Sequence, residues 1–289
     1  MSLWKTFTNG AAPDDAVQGG TEKNGNKVFV ARAEIGGELT PGKMVREAGG
    51  AFIPWGGKEN SFFTYELLTN PKNIELRWEP GQMGSVPDSS VIGGKTKSGE
   101  PEFVGRAEHE GIMVPGKMIK SHGGVLFPYG GKEVGATTYE VLVYPFAWKE
   151  ASRGDVPEGA IQGGEEKNGN KVYVARAEIG GELTPGKMVK EAGGAFIPWG
   201  GEENSFFTYE VLTNPTGIEV TWVQASMGEI PPNAVVGGKT SSGEPEFVGR
   251  ADHEGIKVPG KMIKSHGGVL FPYGGKEIGA TTYEVLCVA

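Results

Sequence analysis

The sequence predicts an all-β protein of tandem repeats, with antiparallel sheets packed in a sandwich-like manner. Three observations carry this. First, short segments rich in Val, Ile, Phe, Tyr and Trp alternate with glycine turns, and no segment shows a capped 3.6-residue pattern. Second, tryptophans recur at Trp4, Trp78, Trp148 and Trp222, spaced 74, 70 and 74 residues apart. Third, the stretch Gly36 to Met44 (GGELTPGKM) returns whole at Gly180 to Met188, and shorter forms end in Pro115-Gly116-Lys117 and Pro259-Gly260-Lys261.

Self-similarity orders the chain as four units, A-B-A-B. From Ala16 to Pro71 the first A unit differs from its copy, Ala160 to Pro215, at six of 56 positions. From Val91 to Leu142 the first B unit differs from Val235 to Leu286 at five of 52. The expected domains are 1–145, holding repeats at about 4–77 and 78–147, and 146–289, holding repeats at about 148–221 and 222–289. A propeller is the rival architecture, but its blades run to about 40–50 residues, shorter than this spacing.

Within a unit, Lys27 to Ala33 alternates as a half-buried strand. Pro41-Gly42 reads as a turn, after which Lys43 to Arg46 forms a strand. Gly50 to Trp55 runs into Gly56-Gly57, and Ser61 to Leu68 closes the unit. A strand such as Glu75 to Trp78 joins one unit to the next, and the regular spacing of the four tryptophans makes them core residues. The 49 glycines, more than twice the usual share of about 7%, serve these turns.

Net charge is −8, so a nucleic-acid footprint is not expected. Cys287 stands alone, which leaves no disulfide framework and no cysteine zinc site within one chain. No apolar stretch reaches the length of a membrane span, and the first residues carry no apolar leader region. A cytoplasmic protein, or one released by a route without a leader, is the expectation, and no cofactor is expected.

The repeated lysine of Pro-Gly-Lys is the leading functional candidate: Lys43, Lys117, Lys187 and Lys261. For an isolated copy a solvated surface lysine is the better reading; four copies favour a role. Trp55 and Trp199, with Tyr129 and Tyr273 in the B units, either close a strand in the core or stack on a ligand ring, the core being favoured. Lys58-Glu59, Lys132-Glu133 and Lys276-Glu277 correspond to Glu202-Glu203. The first position is therefore solvated, and the glutamate retained in all four lines a pocket or caps a turn. His109, His122, His253 and His266 occur only in B units and match no metal-ligand spacing. No catalytic constellation stands out, so an enzyme is not expected.

The motifs Gly-Glu-Leu-Thr-Pro-Gly-Lys, Ile-Pro-Trp-Gly-Gly-Lys-Glu and Tyr-Glu-Val-Leu resemble the DM-nine repeat family across the whole chain, as two tandem pairs. Such repeats occur in insect and mollusc proteins, in natterin-like toxins and in a mannose-specific lectin of oysters. The resemblance implies a lectin recognising mannose-type glycans, multivalent and serving microbial recognition in innate immunity; self-association stays open. It implies no pore-forming region and no membrane insertion. It places the sugar contacts on an early acidic residue and the Pro-Gly-Lys lysine: Glu22 with Lys43, and Glu166 with Lys187. Glu38 and Glu182 stand near each lysine in sequence. In the B units Thr96 and Thr240 replace the acidic residue, so Lys117 and Lys261 would draw a carboxylate from Glu110 and Glu254. Removing Lys43 and Lys187 is then expected to abolish binding and spare the fold. The alternatives are a structural or protein-interaction scaffold and, less favoured, a glycan hydrolase.

Overall fold

The computed structural model describes residues 3–71, 73–215 and 217–289. Its regular structure is all strand, apart from two 3-10 turns at Lys120–His122 and Lys264–His266. Two compact units span Met1–Tyr144 and Pro145–Val288.

The first unit holds fourteen strands. Repeat A supplies β1 (Trp4–Thr8), β2 (Gln18–Thr21), β3 (Lys27–Ile35), β4 (Glu38–Val45), β5 (Gly50–Trp55), β6 (Lys58–Phe62) and β7 (Thr64–Leu68). Repeat B supplies β8 (Arg77–Gln82), β9 (Ile92–Lys95), β10 (Pro101–His109), β11 (Ile112–Ile119), β12 (Gly124–Tyr129), β13 (Lys132–Ala136) and β14 (Thr138–Val143). Hydrogen bonds run in the order β1-β7-β3-β4-β5-β6-β13-β12-β11-β10-β14-β8, with β2 on β3 and β9 on β10. The two repeats thus share one antiparallel sheet through β6 and β13. They also face each other, because β4 packs on β11 and β5 on β12. The second unit repeats this order from Ala147–Ser152 to Thr282–Val288.

Strand β3 shows why the pattern folds this way. Phe29, Ala31 and Ala33 enter the repeat's own core with Met44, Ala51, Ile53, Tyr65 and Leu67. The alternate residues face β2 and the partner repeat: Val30 lies against Gly19 of β2, whose other neighbour is Pro115 of repeat B, and Arg32 donates to the Gly93 carbonyl of repeat B at 3.0 Å. Both faces of β3 are therefore covered, which the alternation alone did not predict.

The Pro-Gly pair is not a turn. Pro41 and Gly42 lie inside β4, opposite Arg32 and Ala31 of β3. The turn falls earlier, at Gly36-Gly37, whose φ values of +62° and +81° suit a two-residue hairpin loop. The proline is tolerated because the β5 ladder begins only at Lys43, so Pro41 sits outside it. The glycine is required because a Cβ on Gly42 would lie 2.3 Å from the Phe52 carbonyl oxygen. Strand alternation, not a turn, aims the lysine.

The recurring tryptophans are only partly core. Trp4 is buried, whereas Trp78, Trp148 and Trp222 are half-buried. Each carries an arginine guanidinium 4.2 Å from its ring centroid, from Arg32, Arg106, Arg176 and Arg250 in turn. These are cation–π stacks at the seam between repeats.

Strands β6 and β13 meet at Lys58 opposite Lys132, and the second unit places Glu202 opposite Lys276. All four are exposed, in keeping with a solvated position. Like charges face each other in one unit and opposite charges in the other. Lys58→Glu should stabilise the first unit by roughly 0.2–0.5 kcal/mol at low salt, an effect that 1 M salt removes. Urea melts at two ionic strengths check this.

Candidate functional site

Each unit contains two crevices between its repeats, related by approximate symmetry. Each takes its lysine from one repeat and its aromatic residue from the other.

In the first crevice, Lys43 Nζ pairs with Glu59 Oε1 at 3.0 Å. The other oxygen of Glu59 accepts the backbone N–H of Gly131, from the partner repeat, at 2.7 Å. The rings of Phe52 and Tyr129 lie 5.6 Å from the ammonium. Tyr129 belongs to repeat B, and its hydroxyl donates to Glu110 Oε2 at 3.0 Å. Lys23 of repeat A donates to the same oxygen at 2.9 Å. These two donors hold the Glu110 carboxyl below the usual carboxylate range, and the bond to Glu110 raises the Tyr129 phenol. The His109 ring stands edge-on to Tyr129, with centroids 4.6 Å apart. Glu22 lies near enough for its charge to act on Tyr129. Its turn is closed by the Glu22 N–H donating to the Asn26 carbonyl at 2.9 Å.

The second unit repeats the arrangement. Lys187 pairs with Glu203 at 2.8 Å and also donates to the Pro272 carbonyl at 2.8 Å. Glu254 accepts from Lys167 at 2.8 Å and from Tyr273 at 3.1 Å. Asn170 donates to Glu166 at 3.1 Å.

The other crevice of each unit is centred on the repeat B lysine. Lys117 meets Glu133 at 3.3 Å, and Lys261 meets Glu277 at 3.5 Å. Trp55 takes the place of Tyr129, and its indole N–H donates to Glu38 at 2.9 Å. The second oxygen of Glu38 accepts the Lys97 N–H, from the partner repeat, at 2.9 Å. Glu182 likewise holds Trp199 at 3.0 Å and the Ser241 N–H at 3.2 Å. Beneath lies Glu102, fully buried beside Thr40 and Lys117. Neither its oxygens nor the Thr40 hydroxyl makes a hydrogen bond of ordinary geometry among the described residues, although that hydroxyl lies close enough to ease the charge on Glu102 slightly. Burial pushes the Glu102 carboxyl up to about 8, against the pull of Lys117, and Glu246 stands likewise.

The candidate residues are thus brought together, but in other combinations. The ionic partner of Lys43 is Glu59, not Glu22 or Glu38. Glu38 serves the crevice of Lys117, and Glu110 serves that of Lys43, so the two carboxylates are exchanged relative to the sequence assignment. The cause is the crossing of hairpin loops: the β3–β4 loop reaches the β9–β10 turn of the partner, and the β10–β11 loop reaches the β2–β3 turn. The lysine partner was visible in the sequence, since Glu59, Glu133, Glu203 and Glu277 each follow a repeated lysine by 16 residues. Glu102 was also missed, although it interrupts an apolar strand where repeat A has Val28. Trp55 and Tyr129 are neither core residues nor free platforms; each is half-buried and anchored by a carboxylate. Among the described residues no group of three or more His, Cys, Asp or Glu side chains could hold a metal ion, and no helix could cross a membrane.

Fold and crevices define an all-β tandem-repeat protein whose repeats work in pairs. The sequence profile of the DM9 repeat matches residues 2–62, 23–136, 103–206 and 166–280, and the chain belongs to that family. Natterin-3 of Thalassophryne nattereri is 30% identical over 146 residues, which are 49% of this chain and 36% of that protein. The chain thus spans about a third of that relative. Among solved structures, the nematode sperm cell motility protein MFP2B aligns over 98% of this chain and 96% of its own, at 14% identity and a TM-score of 0.40.

Proposed function

We propose that the chain is a non-catalytic carbohydrate-binding protein whose Lys43 and Lys187 crevices take mannose-type glycans, multivalently, in recognition of microbial surfaces. Membership in the DM9 repeat family and the likeness to Natterin-3 support a carbohydrate-binding or toxin-like role. The observation that favours sugar is the Lys43 crevice itself. An ammonium and a phenol anchored by Glu110 meet from the two repeats, and the Glu22 carboxylate stands near enough for its charge to reach that phenol. Adjacent sugar hydroxyls both donate and accept, which suits paired acidic and basic groups. Duplicating the pair gives two equivalent sites, and linked weak sites gain avidity of about 10²–10⁴ where geometry permits.

One observation favours the scaffold reading instead. Lys43 and Lys187 are each only 9% exposed and already committed to Glu59 and Glu203. The two readings separate at Glu22 and Glu166, which are half-buried and outside that ion pair. Glu22→Gln with Glu166→Gln should weaken mannose binding about tenfold, the share of a hydrogen bond to a charged group, and leave the melting temperature unchanged. Calorimetric titration in EDTA, with no loss expected from the chelator, decides it. Absence of mannose binding by the folded wild type favours the scaffold, whereas unchanged affinity in the double variant moves the sugar contact away from Glu22 and Glu166.

A further inference from the structure

The two units are nearly copies, so their differences show where they were allowed to diverge. Four of the differences between the matched stretches change charge: Thr21 against Glu165, Lys58 against Glu202, Lys97 against Ser241, and Met113 against Lys257. Two of these four, Thr21 and Met113, line one groove between β2 and the β10–β11 hairpin. A fifth difference, Glu108 against Asp252, is the cross-strand neighbour of the Met113 position.

In the first unit this groove is lined by Gln18, Thr21, Trp78, Arg106, Ile112 and Met113. Its floor is the stacked pair of Trp78 and Arg106. In the second unit the matching groove is lined by Glu165, Glu166, Lys167, Ile256 and Lys257, and does not reach Trp222 or Arg250. The reason is Lys257. Its ammonium bonds Asp252 at 2.7 Å and Glu284 at 3.0 Å, and Glu284 also holds Arg250 at 2.7 Å. The lysine thereby spans the floor. Glu284 is 13% exposed, whereas its counterpart Glu140, with Met113 in place of the lysine, is 34% exposed.

We propose that the first unit's groove is a second saccharide subsite, which seats one further ring of a neutral oligosaccharide on Trp78 and Met113, and that Lys257 closes the Trp222–Arg250 end of the matching groove in the second unit. This rests on the reading of the Lys43 crevice as a sugar site. The groove adjoins that crevice: Thr21 precedes Glu22 and Lys23, Ile112 follows Glu110 and Gly111, and the Lys23–Glu110 bridge stands between them. A pyranose has an apolar C–H face that suits the indole and the thioether, and rim hydroxyls that suit Gln18, Thr21 and the guanidinium N–H groups of Arg106. The charged second groove offers an ion-paired wall and no such floor. The units therefore share one sugar preference and differ in the length of chain they accommodate.

The test compares mannose with a linear mannotriose by calorimetry on the full chain. The wild type should show two equal sites for mannose, and for the trisaccharide one site about two- to tenfold tighter than the other. Thr21→Glu with Met113→Lys, the residues the second unit itself carries, should return both sites to equal affinity for the trisaccharide with mannose binding unchanged. Glu165→Thr with Lys257→Met should make both sites tight. Mannose binding with a trisaccharide preference that neither exchange alters, or with no preference at all, overturns the subsite and leaves the Lys43 reading standing. Absence of mannose binding in the folded wild type overturns that reading, and the subsite with it.

Discussion

Stability should fall by several kcal/mol as pH rises from about 4 to about 8, and then level off. The cause is Glu102 and its copy Glu246, each fully buried and each pushed up to about 8 from an ordinary value of 4.5, chiefly by desolvation. The fold favours the neutral carboxyl. Below about 4.5 the folded and unfolded chains both hold the proton, and the contribution is fully present. Between 4.5 and 8 the unfolded chain has released it and the folded chain has not, so each pH unit costs about 1.4 kcal/mol per carboxyl. Above about 8 Glu102 ionises inside the fold and the loss stops. Over that span each unit loses on the order of 4–5 kcal/mol, comparable with the whole stability of a small domain. Glu284, which burial would raise but which Arg250 and Lys257 together hold low, acts in the opposite sense at the acid end, but it serves the second unit alone. Glu102→Gln with Glu246→Gln should flatten the profile and leave the variant more stable than wild type at pH 8. Urea melts at pH 5, 6.5, 8 and 9 measure this; equal slopes in variant and wild type would refute it.

That buried carboxyl also shows how far the sequence could be read. The repeat order, the all-β class and the places of most strands followed from period-two alternation and from the return of the same motifs. Those signals are local, and a repeat states them several times. The Pro41-Gly42 pair misled because its turn preference is also local, while its role is a close approach: Gly42 passes the Phe52 carbonyl, and Pro41 packs at Gly93 of the partner repeat. The crevices were legible residue by residue but not in combination. Glu38 and Glu110 exchange places because hairpin loops cross between repeats, and no spacing along one repeat encodes that crossing. Glu59 illustrates the middle case. Its recurrence 16 residues after each lysine could have paired them, since β4 and β6, with β5 between them, keep a fixed register in every repeat.

The second large effect concerns that pair. Lys43→Ala is expected to destabilise the first unit by about 3–5 kcal/mol, because it leaves Glu59 buried and uncompensated. This departs from the expectation that the lysine could be removed at no cost to the fold. Side-chain exposures of 11% for Lys43 and 13% for Glu59 set the scale, together with the 3.0 Å contact. Glu59 cannot turn to water without giving up the Gly131 N–H, and that bond ties repeat A to repeat B. Lys187→Ala should do the same in the second unit through Glu203 and Gly275. Replacing both partners separates the charge from its packing. Lys43→Met with Glu59→Gln keeps the volume and keeps an acceptor for the Gly131 N–H, and should recover stability to within about 1 kcal/mol of wild type. The same pair of replacements made also at Lys187 and Glu203 gives a folded chain that lacks the buried ammonium of both crevices and keeps only the exposed Lys23 and Lys167. Its mannose affinity should fall about tenfold to a hundredfold, the loss of one charged donor. Melting curves beside calorimetric titrations read both quantities from one set of proteins. A Lys43→Ala chain that melts with the wild type would show that the buried pair does not hold the repeats together. A fourfold variant that binds mannose as the wild type does would move the sugar contact away from both lysines, to Glu22, Glu166 and the tyrosines Tyr129 and Tyr273.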